Sequence, residues 1–241
     1  MTKLIINADD FGLSEAVNHG IISAYKSGVV TSTSAMANMP SLEHGMDLLK
    51  ENKDLGCGVH MTLSCYKPLL SNSKTIVDDN GYFIRRITNE VIENMDLDEI
   101  YNELCAQIEK VKSKTVITHL DSHHHIHTLE NLRPVIEKIL RRYNLPIRGG
   151  FEYDFNYSKI IPLVDSFYGD NVSEDYFVKK INYLKEYEIA DIMCHPAYID
   201  DFLMKTTSYS IARIKEHKIL TSKDTKAFIQ DNFLLTNYKG L

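Results

Sequence analysis

Short apolar, β-branched runs alternate along this chain with segments of 10 to 17 residues whose apolar positions recur at helical spacing. "LIINA" (4–8) reads as a buried strand. A helix follows it, capped by Ser14 and stopped at Gly28, with Val17, Ile21, Ile22 and Tyr25 on one face. "VVTSTSAM" is a second strand, Ser41 opens a helix through about Asn52, and "LGCGVHMTL" is a third strand. A helix starting at Asp96 or Asp98 runs to about Lys112. Strand "KTVITHLDS", helix 129–143 and strand "LPIRGG" come next. "YFVKKINYLKEY" is an amphipathic helix, "IADIMCHPAY" a further strand, and helical patterns over 208–217 and 221–230 follow.

This alternation predicts a parallel sheet, because parallel neighbours need a crossover that a helix supplies. At least six such units fit in 241 residues, so the expected fold is α/β, a modified (β/α) barrel of the TIM-barrel kind with mostly parallel strands. No repeat or Pro/Gly/Ser linker divides the chain, so 1–241 is expected to form one domain. Between Tyr66 and Met95 no period holds. Residues 66–95 are therefore expected to be an irregular insertion over a pocket.

Composition narrows the classes of function. Hydrophobic residues at 44% and charged residues at 25% fit a folded globular protein. The net charge of −6, without a basic run, argues against a nucleic-acid partner. No stretch approaches the roughly 18 apolar residues of a membrane span, and no glycine-rich phosphate loop is present. The four cysteines form no Cys-x-x-Cys pair, and "KLIINADD" begins almost at once, without room for a leader; a cytoplasmic location is expected.

The polar residues at strand ends carry the functional signal. Asp9 and Asp10 end the first strand, His60 lies in the third, and His195 ends "IADIMCH". "THLDSHHHIH" (118–127) packs five of the ten histidines into ten positions. In parallel α/β folds the C-terminal strand ends share one face, where active sites sit. A lone His60 would more often be a core histidine, Asp9-Asp10 alone could be a turn, and the cluster alone could be a surface tract. Four segments converging with metal-ligand residues favour a metal site instead. Strand alternation puts Asp121, His123 and His125 on one side, with His124 on the other.

These residues resemble the YdjC-type carbohydrate deacetylases, which include the diacetylchitobiose deacetylases. The resemblance rests on "NADDFG" (7–12), "GVVTSTSAM" (28–36), "GVHMTL" (58–63), "THLDSHHHIH" (118–127) and "HPAY" (195–198). It implies a modified barrel with an Asp-His-His site: Asp10, His60 and His123 as metal ligands, Asp9 as catalytic base and His195 as general acid. Asp121 is expected to support a ligand imidazole, and His125 is the alternate third ligand. One divalent ion is implied, magnesium or zinc, with manganese, cobalt or nickel compatible. The implied substrate is a small N-acetylated sugar, a chitooligosaccharide such as diacetylchitobiose or its phosphate. No membrane partner is expected, and a homodimer is compatible with the resemblance.

Substrate contacts are less defined. Tyr66, Tyr82 and Tyr198 could stack on a sugar, and Arg85, Arg86 and Arg148 could meet a phosphate. Three rivals remain. A metal phosphoesterase would call for two ions, and a metal-binding or sugar-sensing module would have a closed ion site. A glycosidase using Asp9 and Asp10 is disfavoured, because adjacent strand residues point to opposite faces whereas such pairs must flank one bond.

Overall fold

A computed structural model describes residues 1–154 and 156–241. The strands are β1 (Lys3–Phe11), β2 (Ser32–Ala35), β3 (Gly56–Met61), β4 (Leu120–Ser122), β5 (Ile147–Arg148), β6 (Ile160–Ile161), β7 (Leu163–Val164), β8 (Ile189–Cys194) and β9 (Leu234–Thr236). The helices are α1 (Glu15–Ser27), α2 (Leu42–Glu51), α3 (Asn89–Ile92), α4 (Leu97–Lys112), α5 (Arg133–Tyr143), α6 (Tyr176–Leu184), α7 (Asp201–Thr206), α8 (Ala212–Leu220) and α9 (Lys223–Asn232).

Strands pair in the order β6-β5-β4-β3-β2-β1-β8-β7, and every ladder is parallel. The two ends of that order are one segment of chain. Pro162 separates β6 from β7, and without an N–H it breaks the ladder just where the segment passes from β5 to β8. The sheet thereby curls into the expected modified (β/α) barrel. β9 adds to β1 at Lys3, Leu4 and Ile5, below the part of β1 that pairs with β2.

The caps explain the helix starts. Ser14 accepts from the Val17 N–H, and Asp96 accepts from the N–H groups of Asp98 and Glu99. Ser41 precedes α2 but makes no side-chain cap bond. Asn144 ends α5 in the left-handed conformation that asparagine tolerates. Residues 66–95 contribute α3 and a single antiparallel bridge, Val77 to Phe83, and they bury Ile76, Phe83, Ile92 and Met95. Leu4, Ile6, Val59, Leu120 and Ile192 are fully buried in the strand core. Among the described residues no helix is long and apolar enough to cross a membrane.

Two local expectations are corrected. The strand before the histidine cluster is short, Leu120–Ser122. The chain then turns into a 3-10 segment, His123–Thr128, in which His124 and His125 have φ of 54° and 53°. Period-two alternation therefore does not apply past Ser122. In β1 the ladder to β2 slips between Ala8 and Phe11, and Asp10 has φ of 69°. This bulge lets two consecutive aspartates face the same cavity, so the alternation argument against pairing them fails.

Candidate active site

At the C-terminal ends of the strands lies a cavity of about 310 Å³ whose lining includes Asp9, Asp10, His60, His123, His125 and His195. His60 is its pivot. Its Nδ1 stands 2.8 Å from Asp121 Oδ1 and its Nε2 3.4 Å from Asp10 Oδ1. His123 Nδ1 lies 3.0 Å from the same Asp10 oxygen. Asp10, His60 and His123 thus present ligand atoms within 4.8 Å of one another, a grouping that leaves out His125. Asp121 backs the far nitrogen of His60, the arrangement that fixes a ligand imidazole.

Behind Asp9, outside the cavity lining, lies Arg148, which is fully buried. Its Nη1 and Nη2 each donate at 2.7 Å to Asp9, its Nε donates at 2.7 Å to Asp191, and Nη2 lies 3.1 Å from Asp121. The expectation that Arg148 meets substrate is therefore corrected: all of its donor groups serve internal carboxylates. Tyr198 is also corrected. The chain leaving β8 bonds Tyr198 N–H to the Ala16 carbonyl, and the exposed ring packs beside His217, outside the cavity lining.

Charge in this cluster is unbalanced. Burial opposes the ionisation of Asp9, yet Arg148 and then His60 hold it below the ordinary carboxylate value. Burial opposes Asp10 too, and Arg213 with His123 holds it well below that value. Burial likewise opposes a charge on His60, but Asp121 and Asp9 raise it to about 10. Four buried carboxylates, Asp9, Asp10, Asp121 and Asp191, meet two guanidinium groups, Arg148 and Arg213, which leaves anionic charge in excess. This cluster fits a cation, and its one-carboxylate, two-imidazole donor set suits a divalent ion.

The other cluster histidines have structural partners. His127 is fully buried, with Nε2 3.0 Å from the Arg148 carbonyl and Nδ1 2.5 Å from Ser122 Oγ. Nε2 must donate to that carbonyl, so Nδ1 accepts from the serine. His119 stacks on Tyr238 at 3.8 Å, and His124 Nδ1 lies 2.9 Å from Ser64 Oγ.

Several site residues escaped the sequence reading. Arg213 donates from Nη2 to Asp10 Oδ2 at 2.7 Å. Glu216, fully buried, accepts from the His195 backbone N–H, and Tyr209 Oη donates to it at 2.5 Å. Asp191 anchors Arg148 from β8; it lies four residues before His195, so strand period two could have flagged it. Beside the cavity a groove of about 940 Å³ shares His123, His124 and Arg213 with it, and its lining includes Tyr66, Tyr82, Arg85 and Lys205. Arg86 is exposed and lines neither.

The sequence profile of YdjC-like proteins matches residues 3–231. The chain belongs to the YdjC-like family. Within it, a carbohydrate deacetylase of Clostridium beijerinckii is 38% identical over 249 residues, covering 99% of this chain and all of the relative. One from Halalkalibacterium halodurans is 41% identical over 227 residues, covering 91% and 95%. A crystal structure from Enterococcus faecalis V583, described as a candidate cellobiose-phosphate cleavage protein, superposes with TM-score 0.90 at 36% identity, covering 99% and 98%. A family 4 carbohydrate esterase from Streptomyces lividans in complex with acetate shares the fold, at TM-score 0.52 and 13% identity over 98% and 91%.

Proposed function

We propose that this chain is a metal-dependent carbohydrate deacetylase that removes the acetyl group from an N-acetylated sugar, of the chitooligosaccharide class or its phosphates. The observation that carries the reading is the convergence of Asp10, His60 and His123 on one point of a cavity also lined by Asp9 and His195. Relatives spanning nearly the whole chain and named carbohydrate deacetylases support it.

In this reading Asp10, His60 and His123 hold one divalent ion. The ion, when bound, supplies polarisation of the amide carbonyl and an acidified water. Arg148 keeps Asp9 ionised and orients its carboxylate, whose remaining lone pairs can accept a proton inside the cavity. His195, just past the end of the neighbouring strand β8, gives a proton to the departing amine, which otherwise leaves poorly. Asp121 fixes the His60 ring so that Nε2 faces the cavity. The chain from 1 to 241 acts as one catalytic unit, with Tyr66, Tyr82 and Arg85 of the irregular segment lining the groove that takes the rest of the sugar.

A two-ion phosphoesterase is less well supported. The second candidate grouping, Asp9, His60 and Asp121, shares His60 with the first, and Arg148 contacts both of its carboxylates. The test is acetate release from N-acetylated mono- and disaccharides, free and 6-phosphorylated. It is run after chelation and again after re-addition of magnesium or zinc. Release that disappears and returns with the metal is expected; no release from any substrate under any condition overturns the reading.

A further inference from the structure

His195 sits in a box built by parts of the chain far from it in sequence. The edges of its ring meet Tyr168 and Tyr209, at centroid distances of 5.5 and 5.7 Å. Behind it stands Glu216 on α8. One Glu216 oxygen accepts the His195 backbone N–H; the other lies 3.9 Å from His195 Nδ1 and accepts from Tyr209 Oη at 2.5 Å. That hydroxyl in turn accepts the Gly169 N–H at 3.1 Å, so the carboxylate is fixed in place. His195 Nδ1 is buried without a hydrogen-bond partner, and a carboxylate oxygen of Glu216 lies 3.9 Å away. A fully buried carboxylate is costly unless donors surround it, and here the His195 N–H and the Tyr209 hydroxyl supply them.

We infer that Glu216 is a positioning residue for His195: its carboxylate receives Nδ1–H when the ring is charged, holding Nε2 toward the cavity as proton donor. This rests on the reading of His195 as the general acid. The 3.9 Å separation must shorten to about 3.2 Å or less when the ring is charged. The proton then moves from Nε2 to the amine, the amine nitrogen gains the N–H bond as its bond to the acyl carbon breaks, and the ring returns to neutral with Nδ1–H still held by Glu216.

The electrostatic surroundings make such support necessary. Burial first, then Arg213, pushes His195 down to about 3; Asp10 and Asp9 act in the opposite direction and His60 adds to the lowering. Burial raises Glu216 to about 7, against the lowering by Tyr209, the His195 backbone N–H and Arg213, so the carboxylate is anionic above neutral pH. The remaining groups facing the ring are the phenols of Tyr168 and Tyr209, neutral in that range.

The test is the pH profile of kcat/KM for acetate release from diacetylchitobiose by zinc-loaded protein, for wild type, Glu216→Gln, Glu216→Asp, Tyr209→Phe and His195→Ala. Removing the anion lowers the affinity of the ring for its proton, so the alkaline limb of Glu216→Gln moves to lower pH and kcat falls about tenfold or more, with KM little changed. Tyr209→Phe, which removes a donor to the carboxylate and raises its affinity for a proton, moves the limb the other way by less, and Glu216→Asp restores part of the rate. A lower rate with an unmoved limb in both Glu216→Gln and Tyr209→Phe overturns the inference. If Glu216→Gln does not fold, as judged by thermal unfolding, the Tyr209→Phe limb decides. Full activity in His195→Ala overturns the acid assignment itself, whereas a crippled His195→Ala beside an unmoved limb in the other variants overturns only the role of Glu216.

Discussion

Asp9 and Asp10 are consecutive residues, yet each is gripped by a different arginine: Asp9 by Arg148 of β5, Asp10 by Arg213 of α8. The left-handed φ of 69° at Asp10 makes this division of labour possible, because it turns the second carboxylate back into the cavity. Asparagine tolerates that conformation and alanine does not, at a cost of roughly 1–2 kcal/mol. Asp10→Asn is therefore expected to fold, to bind zinc at least about tenfold more weakly in calorimetry, and to lose activity. Asp10→Ala should in addition melt lower than Asp10→Asn in the presence of chelator. Equal melting of the two variants would count against backbone strain at this bulge.

Arg148 is the counter-charge for three buried carboxylates, Asp9, Asp121 and Asp191. Replacing it with methionine leaves them unpaired, and urea unfolding should record a loss of about 3–5 kcal/mol. Lysine carries the charge but cannot reach carboxylates on different sides through separate nitrogens, so Arg148→Lys should recover only a minor part. A lysine variant as stable as wild type would show that charge alone, without the guanidinium geometry, suffices.

Gly20 of α1 lies against the chain that follows His195. A Cβ there would come within 2.5 Å of the Ala197 Cα. Backbone cannot swing aside as a side chain can, so Gly20→Ala should shift residues 195–198. Expected are a stability loss of roughly 1–3 kcal/mol and a lower kcat, with zinc affinity retained because no ligand lies on that segment. Unchanged kcat would sink the link between this helix contact and the placement of His195.

Metal-free protein should weaken as pH falls below about 6.5, the ordinary histidine value. Burial lowers His119 to about 4 and His127 to about 3, so the unfolded chain binds protons that the folded one refuses. His60, raised to about 10, contributes in the opposite sense: its stabilisation is complete below about 6.5 and fades as pH rises toward 10. The melting temperature in chelator should therefore decline on both sides of neutrality. Zinc should flatten the alkaline decline, since it replaces the proton on His60. An alkaline limb indifferent to zinc would argue against His60 as a ligand.

The strand-helix alternation was readable because β1, β3 and β8 are apolar runs buried on both faces and α1 and α4 carry their own caps. Pro162 and its two-residue strands were not readable, since so short a pairing leaves no period to detect. The sequence also pointed to the segments that reach the cavity: Asp9, Asp10, His60, His123 and His195 all line it. Arg213 and Glu216 were hidden for a physical reason. On α8 the usual burial is inverted: Ile211 at its start is 60% exposed and Ile214 47% exposed, while Arg213 and Glu216 point inward. Hydropathy patterns place charges outside, and only the tertiary partners Asp10 and His195 reverse that preference.

β1 bears both aspartates, but its neighbours β8 and β9 come from residues 189–194 and 234–236. Just beyond β9, Tyr238 donates at 2.7 Å to Asp191, the carboxylate that steadies Arg148 beneath Asp9. During synthesis the acidic strand therefore emerges well before residues 189–236 and waits for them before its edge is covered and its charges are matched. Contacts of such long sequence separation form late and leave an exposed, adhesive edge in the interval. For this barrel the strand that bears both cavity aspartates is one a nascent chain must protect for a long interval.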